Sequence, residues 1–111
     1  MGTNKKARIL FGVTNNMNKL RSKNKSEEIK MKLEDTVEMM NSEDFKERFK
    51  AEYYQLLLRL DGLAGMLIKW ESGMLDFEPK CSKETLENQV IFMQGYMSIL
   101  RLRAEIEGIE L

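Results

Sequence analysis

Between Phe45 and Trp70 the apolar residues Phe49, Tyr53, Leu56, Leu60, Leu63, Leu67 and Trp70 follow one another in steps of four, three, four, three, four and three. That spacing is a heptad seam, the pattern of a helix that packs lengthwise against another helix. A second stretch repeats it: Leu86, Val90, Met93, Met97, Leu100 and Ala104. A chain of 111 residues is one domain's worth of sequence. Two such seams on a chain this short predict an all-α fold, an antiparallel helical hairpin of two long helices. Apolar residues also fall off both seams: Tyr54, Leu57, Leu58, Met66 and Ile68 in the first stretch, and Ile91, Phe92, Tyr96, Ile99, Leu102 and Ile106 in the second. A lone hairpin would leave a larger wet apolar patch than monomers tolerate. The expectation is therefore a homo-oligomer.

Start and stop signals divide the chain. Residues 1–25 are polar and rich in Asn and Lys, with one short apolar patch at Ile9, Leu10 and Phe11, and read as a basic, flexible arm. Over residues 26–40, Ser26 is a capping residue, Glu27 and Glu28 suit a helix start, and Ile29, Leu33, Val37 and Met40 recur at helical spacing. This predicts a short N-terminal amphipathic helix that needs a packing partner to persist. The hairpin domain then occupies residues 41–111. Asn41-Ser42-Glu43-Asp44 is a second start signal, and Met39 or Met40 just before it is an alternative start of translation. The first long helix is expected from about Glu43 to Glu71, roughly 40 Å at about 1.5 Å per residue. Gly62 and Gly65 inside it each cost about 1 kcal/mol relative to Ala; close packing of a neighbouring helix is the plain explanation, approach of a ligand the other. Ser72-Gly73 ends the helix. Met74, Leu75 and Phe77, beside the single proline Pro79, are expected to fold back as a lid on the hairpin's end. Ser82 caps the last helix, which should run to about Glu107 and stop at Gly108, leaving Ile109 and Leu111 as an apolar tip.

Charge is balanced overall, 18 basic against 18 acidic residues, but not along the chain. Residues 1–32 hold nine Lys/Arg against two Glu, a net of +7; the remainder holds nine against sixteen, a net of −7. A basic arm on an acidic body is either a solvated tail or a contact for nucleic acid. There is one cysteine, Cys81, and no histidine. No internal disulfide can form, a zinc site lacks its usual ligands, and Ser-His-Asp or Cys-His catalysis is excluded. Neither a membrane-spanning run nor a signal-peptide core is present, so a soluble protein inside the cell is expected. Acidic pairs such as Asp76/Glu78, Glu84/Glu87 and Glu105/Glu107 have plainer roles as loop, first-turn or solvent charges. No phosphate-binding glycine loop occurs. These features predict no catalytic residue, no metal and no cofactor. The nine methionines fit an adaptable core or contact surface.

One set of residues could bind a ligand: Tyr53, Tyr54, Arg59, Tyr96, Arg101 and Arg103. Aromatic faces stack nucleobases and guanidinium forks grip phosphates. Arg101 and Arg103 point about 200° apart round a helix and cannot serve one site within one subunit.

The run Glu52-x-x-x-Leu56-x-x-Arg59-Leu60-x-x-Leu63-x-x-Met66-Leu67, followed by Gln89-x-x-x-Met93-x-x-Tyr96-x-x-Ile99-Leu100-x-x-Arg103, resembles small phage proteins. These are the anti-CBASS cyclic-nucleotide sponges and related small helical proteins of crAss-like phages. The resemblance covers about residues 43–107. It implies a non-enzymatic homo-oligomer, a hexamer in the best-known members. Such a protein holds cyclic di- or trinucleotides at subunit junctions in the cytoplasm of the infected host and so blocks anti-phage signalling. It places Arg59 and Arg103 on phosphates and Tyr53 or Tyr54 on a base, with Tyr96 beside them. The sequence departs from the family at the longer 72–82 loop, at Gly62 where relatives often carry a basic residue, and in the basic arm. The alternative reading is a helical assembly or regulatory module whose residues 1–32 bind nucleic acid.

Overall fold

The computed structural model describes residues 31–111. The arm expected over 1–25 and the first part of the helix expected over 26–40 lie outside the described residues. Among the described residues every regular element is helical: a 3-10 turn Leu33–Thr36 running into α1 (Val37–Met40), then α2 (Phe45–Glu71) and α3 (Lys83–Glu107).

The short segment differs from a single amphipathic helix. Lys32 is extended, at φ −118° and ψ 162°, so among the described residues helix begins at Leu33. The Asp35 carboxylate accepts from the Lys32 amide (2.8 Å), which fixes this start. Of its expected apolar stripe, Leu33, Val37 and Met40 stay about half exposed, Met40 meeting the Gln55 amide of α2 through its sulfur. The residue that is fully buried is Thr36. Its hydroxyl donates to the Leu33 carbonyl (2.7 Å) and accepts from Gln55 Nε2 of α2 (3.0 Å). With both partners supplied, the buried hydroxyl escapes the penalty of an unsatisfied polar group. The segment lies on the side of α2 away from its seam, where Ala51 is fully buried although it sits about half a turn from Leu60.

α2 starts where the sequence announces it. The Asp44 side chain accepts from the Lys46 amide (3.0 Å), and Arg48 Nη1 donates to the Ser42 carbonyl (2.7 Å), tying the entry loop to the first turn. α3 starts at Ser82, whose hydroxyl accepts from the Thr85 amide (3.1 Å). Each cap satisfies one of the amides that a helix start leaves without an intrahelical partner. Asp44→Ala or Ser82→Ala should each lower stability by about 1 kcal/mol in chemical denaturation, and an unchanged midpoint would show that the cap contributes nothing.

Both long helices end on glycine in the left-handed region, Gly73 at φ 74° and Gly108 at φ 67°. After each, the next amide reaches back five residues: Met74 to the Lys69 carbonyl and Ile109 to the Ala104 carbonyl, both at 2.8 Å. This closure usually brings an apolar contact with it. At the second end Ile109 supplies that contact and is buried, whereas Leu111 stays exposed. At the first end Met74 and Phe77 are exposed and only Leu75 is half-buried. The lid expected of this loop does not form: after the left-handed turn at Gly73, the Met74 and Phe77 side chains are left in solvent.

The core lies between α2 and α3. It joins Phe49, Tyr53, Leu56, Leu57, Leu60 and Leu67 to Val90, Met97, Leu100, Ala104 and Ile109, with Leu63, Trp70, Leu86 and Met93 partly buried at its margin. Cross-helix contacts pair late residues of one helix with early residues of the other. Glu71 meets Lys83 (3.4 Å), Arg101 meets Tyr53, and Arg103 lies over Phe49.

Candidate functional site

The residues with ligand-binding chemistry sit on the two flanks of the α2–α3 seam. Arg101 and Arg103, about 200° apart on α3, straddle that seam, and each has found a different aromatic partner on α2. Arg101 Nε donates to the Tyr53 hydroxyl (3.4 Å), and the Tyr53 and Tyr54 rings meet edge to face, centroids 5.2 Å apart at 80°. On the opposite flank the Arg103 guanidinium lies 4.9 Å from the centre of the Phe49 ring, and its Nε is 3.8 Å from Glu107. Tyr96 is seven residues before Arg103 and so shares its face; its hydroxyl donates to the Glu52 carboxylate. Arg59 is exposed and stands seven residues after Glu52, on the same side of α2.

The five residues expected to bind ligand are thus divided. Arg59, Tyr96 and Arg103 share one flank with Phe49 and Glu52. Tyr53 and Tyr54 share the other with Arg101. Tyr53 is buried to 7% exposure and serves the core, so within one subunit its ring offers no open face to a base. The exposed aromatic of the set is Tyr96. Sequence reasoning gave no binding role to Phe49, read as a seam residue, or to Glu52, which opens the run that resembles the phage sponges. Their signal was positional: each lies where an antiparallel partner helix would carry Arg103 and Tyr96.

Among the described residues no group of His, Cys, Asp and Glu could hold a metal ion, and no helix is long and apolar enough to cross a membrane. Cys81 is exposed in the connecting loop. Gly62 and Gly65 also behave differently from expectation. Among the described residues a Cβ at either would meet nothing within 4 Å, so close packing of another described element does not require glycine there.

A family model described as Sequestin matches residues 43–106. The chain belongs to the Sequestin family. The match spans the Asp44 cap, all of α2, the loop and α3 to within one residue of its end, and it takes in both flanks of the seam. It coincides with the stretch, about 43–107, that resembles the phage sponges. The segment Leu33–Met40 precedes the Sequestin match, as does the basic arm. No curated protein and no solved structure matches the chain.

Proposed function

We propose that this protein sequesters a small phosphate-bearing nucleotide messenger of the cyclic di- or trinucleotide class. On this reading it is a phage protein acting in the cytoplasm of the infected bacterium, and it works by binding alone. The protomer is an antiparallel hairpin of α2 and α3, and the ligand lies at the junction between copies in a homo-oligomer. Membership of the Sequestin family supports sequestration as the mode of action. The observation that carries the ligand class is the flank holding Tyr96 and Arg103. An exposed aromatic ring and a guanidinium stand on one face of one helix, the pair of groups that stacks a base and grips a phosphate. Arg59 stands across from them on α2. Tyr96 and Arg103 are both exposed in one subunit, and a second copy would enclose the ligand they hold.

Sequestration works by mass action, so the protein must bind tightly and be made in excess of the messenger. Binding then stabilises the fold. Ligand at about 100 times its dissociation constant adds about 2.7 kcal/mol, a rise in melting temperature on the order of 10 °C for a domain of this size. The test is a thermal-shift and calorimetry panel of cyclic dinucleotides, cyclic trinucleotides and their linear counterparts. Tight binding of a cyclic member is expected, weakened roughly tenfold or more by Tyr96→Ala and by Arg103→Ala. No shift with any member of the panel would end this reading.

A further inference from the structure

α3 is apolar on two sides. Leu86, Val90, Met93, Met97, Leu100 and Ala104 belong to the core or pack at its margin. Roughly 120° further round, at about 100° per residue, a second stripe runs through Phe92, Gly95, Tyr96 and Ile99, and it is open to water. Phe92 is 76% exposed, Tyr96 and Ile99 are about half exposed, and Ile91, Leu102 and Ile106 extend the patch along one edge. Together these side chains leave on the order of 600 Å² of apolar surface uncovered, at the upper limit for a monomer's largest patch. It is also most of the roughly 800 Å² that one partner commits to a standard interface.

Gly95 lies in the middle of this stripe. A glycine inside a helix costs about 1 kcal/mol relative to Ala. Nothing among the described residues explains it, because a Cβ there would meet none of their atoms within 4 Å. The stripe does explain it when laid antiparallel against a copy of itself. With a two-fold axis passing between Gly95 and Tyr96, each Tyr96 faces the bare backbone of the other copy's Gly95. Phe92 then faces Ile99. Asn88, exposed one turn before Phe92, stands beside Arg103, where its amide oxygen can accept from the guanidinium. Large meets small, apolar meets apolar and acceptor meets donor, twice over, as an isologous interface requires.

We propose that the outer face of α3, from Asn88 to Arg103, is the surface through which two copies of this chain associate, antiparallel about an axis between Gly95 and Tyr96. This gives an address to the self-association half of the functional proposal and does not depend on the ligand. It also places Arg103 at the outer end of the junction, where each copy would complete the other's site, and Tyr96 beside the axis. Residues 1–30 are a poorer occupant. They are strongly basic, and their longest apolar run is the three residues Ile9-Leu10-Phe11.

The test is sedimentation of the full chain under reducing conditions, with helicity followed by circular dichroism. The wild type should sediment above the 13.0 kDa of one chain. Phe92→Arg should raise the self-dissociation constant roughly 30-fold or more, as loss of a central anchor does. Gly95→Leu should also weaken association while keeping or raising helicity, since Leu is the better helix former. Asn88→Arg sets like charges against each other across the axis and should weaken association; adding Arg103→Glu turns that clash into an ion pair and should restore part of it. A wild type that sediments as a single chain at all concentrations would overturn the interface. So would Phe92→Arg and Gly95→Leu proteins that stay folded and keep the wild-type mass. Nucleotide binding is read on the same samples. Dissociation by these variants without any nucleotide binding upholds the interface and removes only the sponge reading.

Discussion

Leu60→Ala is expected to cost about 2–5 kcal/mol of folding stability, much of what a domain this small possesses. Leu60 is fully buried at the middle of α2, in the cluster where Leu100 and Met97 of α3 are equally closed to solvent. The truncation removes three carbons and leaves a hole that two stiff helices can only partly close. The upper half of the range is the better expectation, because the Leu33–Met40 segment packs on the other side of α2 and cannot shift into the space. Urea denaturation of the full chain measures it, with the midpoint falling and the slope unchanged. Phe77→Ala, in the exposed loop, is the matched control and should change stability by no more than about 0.5 kcal/mol. A Leu60→Ala cost below about 1 kcal/mol would mean that the α2–α3 seam is not the core. A large Phe77→Ala cost would mean that the loop does close over the end of the helices.

That pair of variants also marks what the sequence made legible. The four-three rhythm is a direct projection of helix geometry onto sequence, and most of the core falls on it: Phe49, Tyr53, Leu56, Leu60 and Leu67 on α2, and Val90, Met97, Leu100 and Ala104 on α3, while Leu57, read as off the seam, is buried as well. The ends were equally readable. Capping and left-handed turns are local chemistry, so Asp44, Gly73, Ser82 and Gly108 announce themselves without any tertiary contact. What local pattern could not convey was the second packing partner of α2. Ala51 is buried on the side of α2 where the segment around Thr36 lies, and the contact there runs through the Gln55 amide, which reaches both the Thr36 hydroxyl and the Met40 sulfur. Polar contacts have no periodicity, so no spacing rule finds them. The loop failed for the related reason that apolar composition does not oblige Met74 or Phe77 to have anything to pack on. The candidate site was half legible. Residue chemistry selected the tyrosines and arginines, and helix arithmetic separated Arg101 from Arg103. Only the pairing of α2 with α3 showed that Arg101 goes with Tyr53 while Arg103 goes with Phe49.

Phe49 is where core and site meet, and two substitutions there should separate the roles. Its ring is 3% exposed and carries the Arg103 guanidinium on its face. Phe49→Ala should cost about 3–5 kcal/mol, since truncating a buried aromatic leaves a large cavity. Phe49→Leu keeps most of the buried volume and should cost less than about 1.5 kcal/mol, of which about 0.5–1 kcal/mol is the lost cation–π contact. The difference matters for binding. A guanidinium resting on a ring is held at a fixed height and angle, with its donor edges turned to the side, whereas on an aliphatic side chain it samples many orientations. If Arg103 grips a phosphate, the Leu variant must fix that orientation at the moment of binding and lose affinity accordingly, roughly three- to tenfold, while remaining folded. Calorimetry on Phe49→Leu against Arg103→Ala reads this directly. Equal nucleotide affinity in wild type and Phe49→Leu, alongside a large loss in Arg103→Ala, would show that the ring supports the fold alone and that Arg103 finds the phosphate without it.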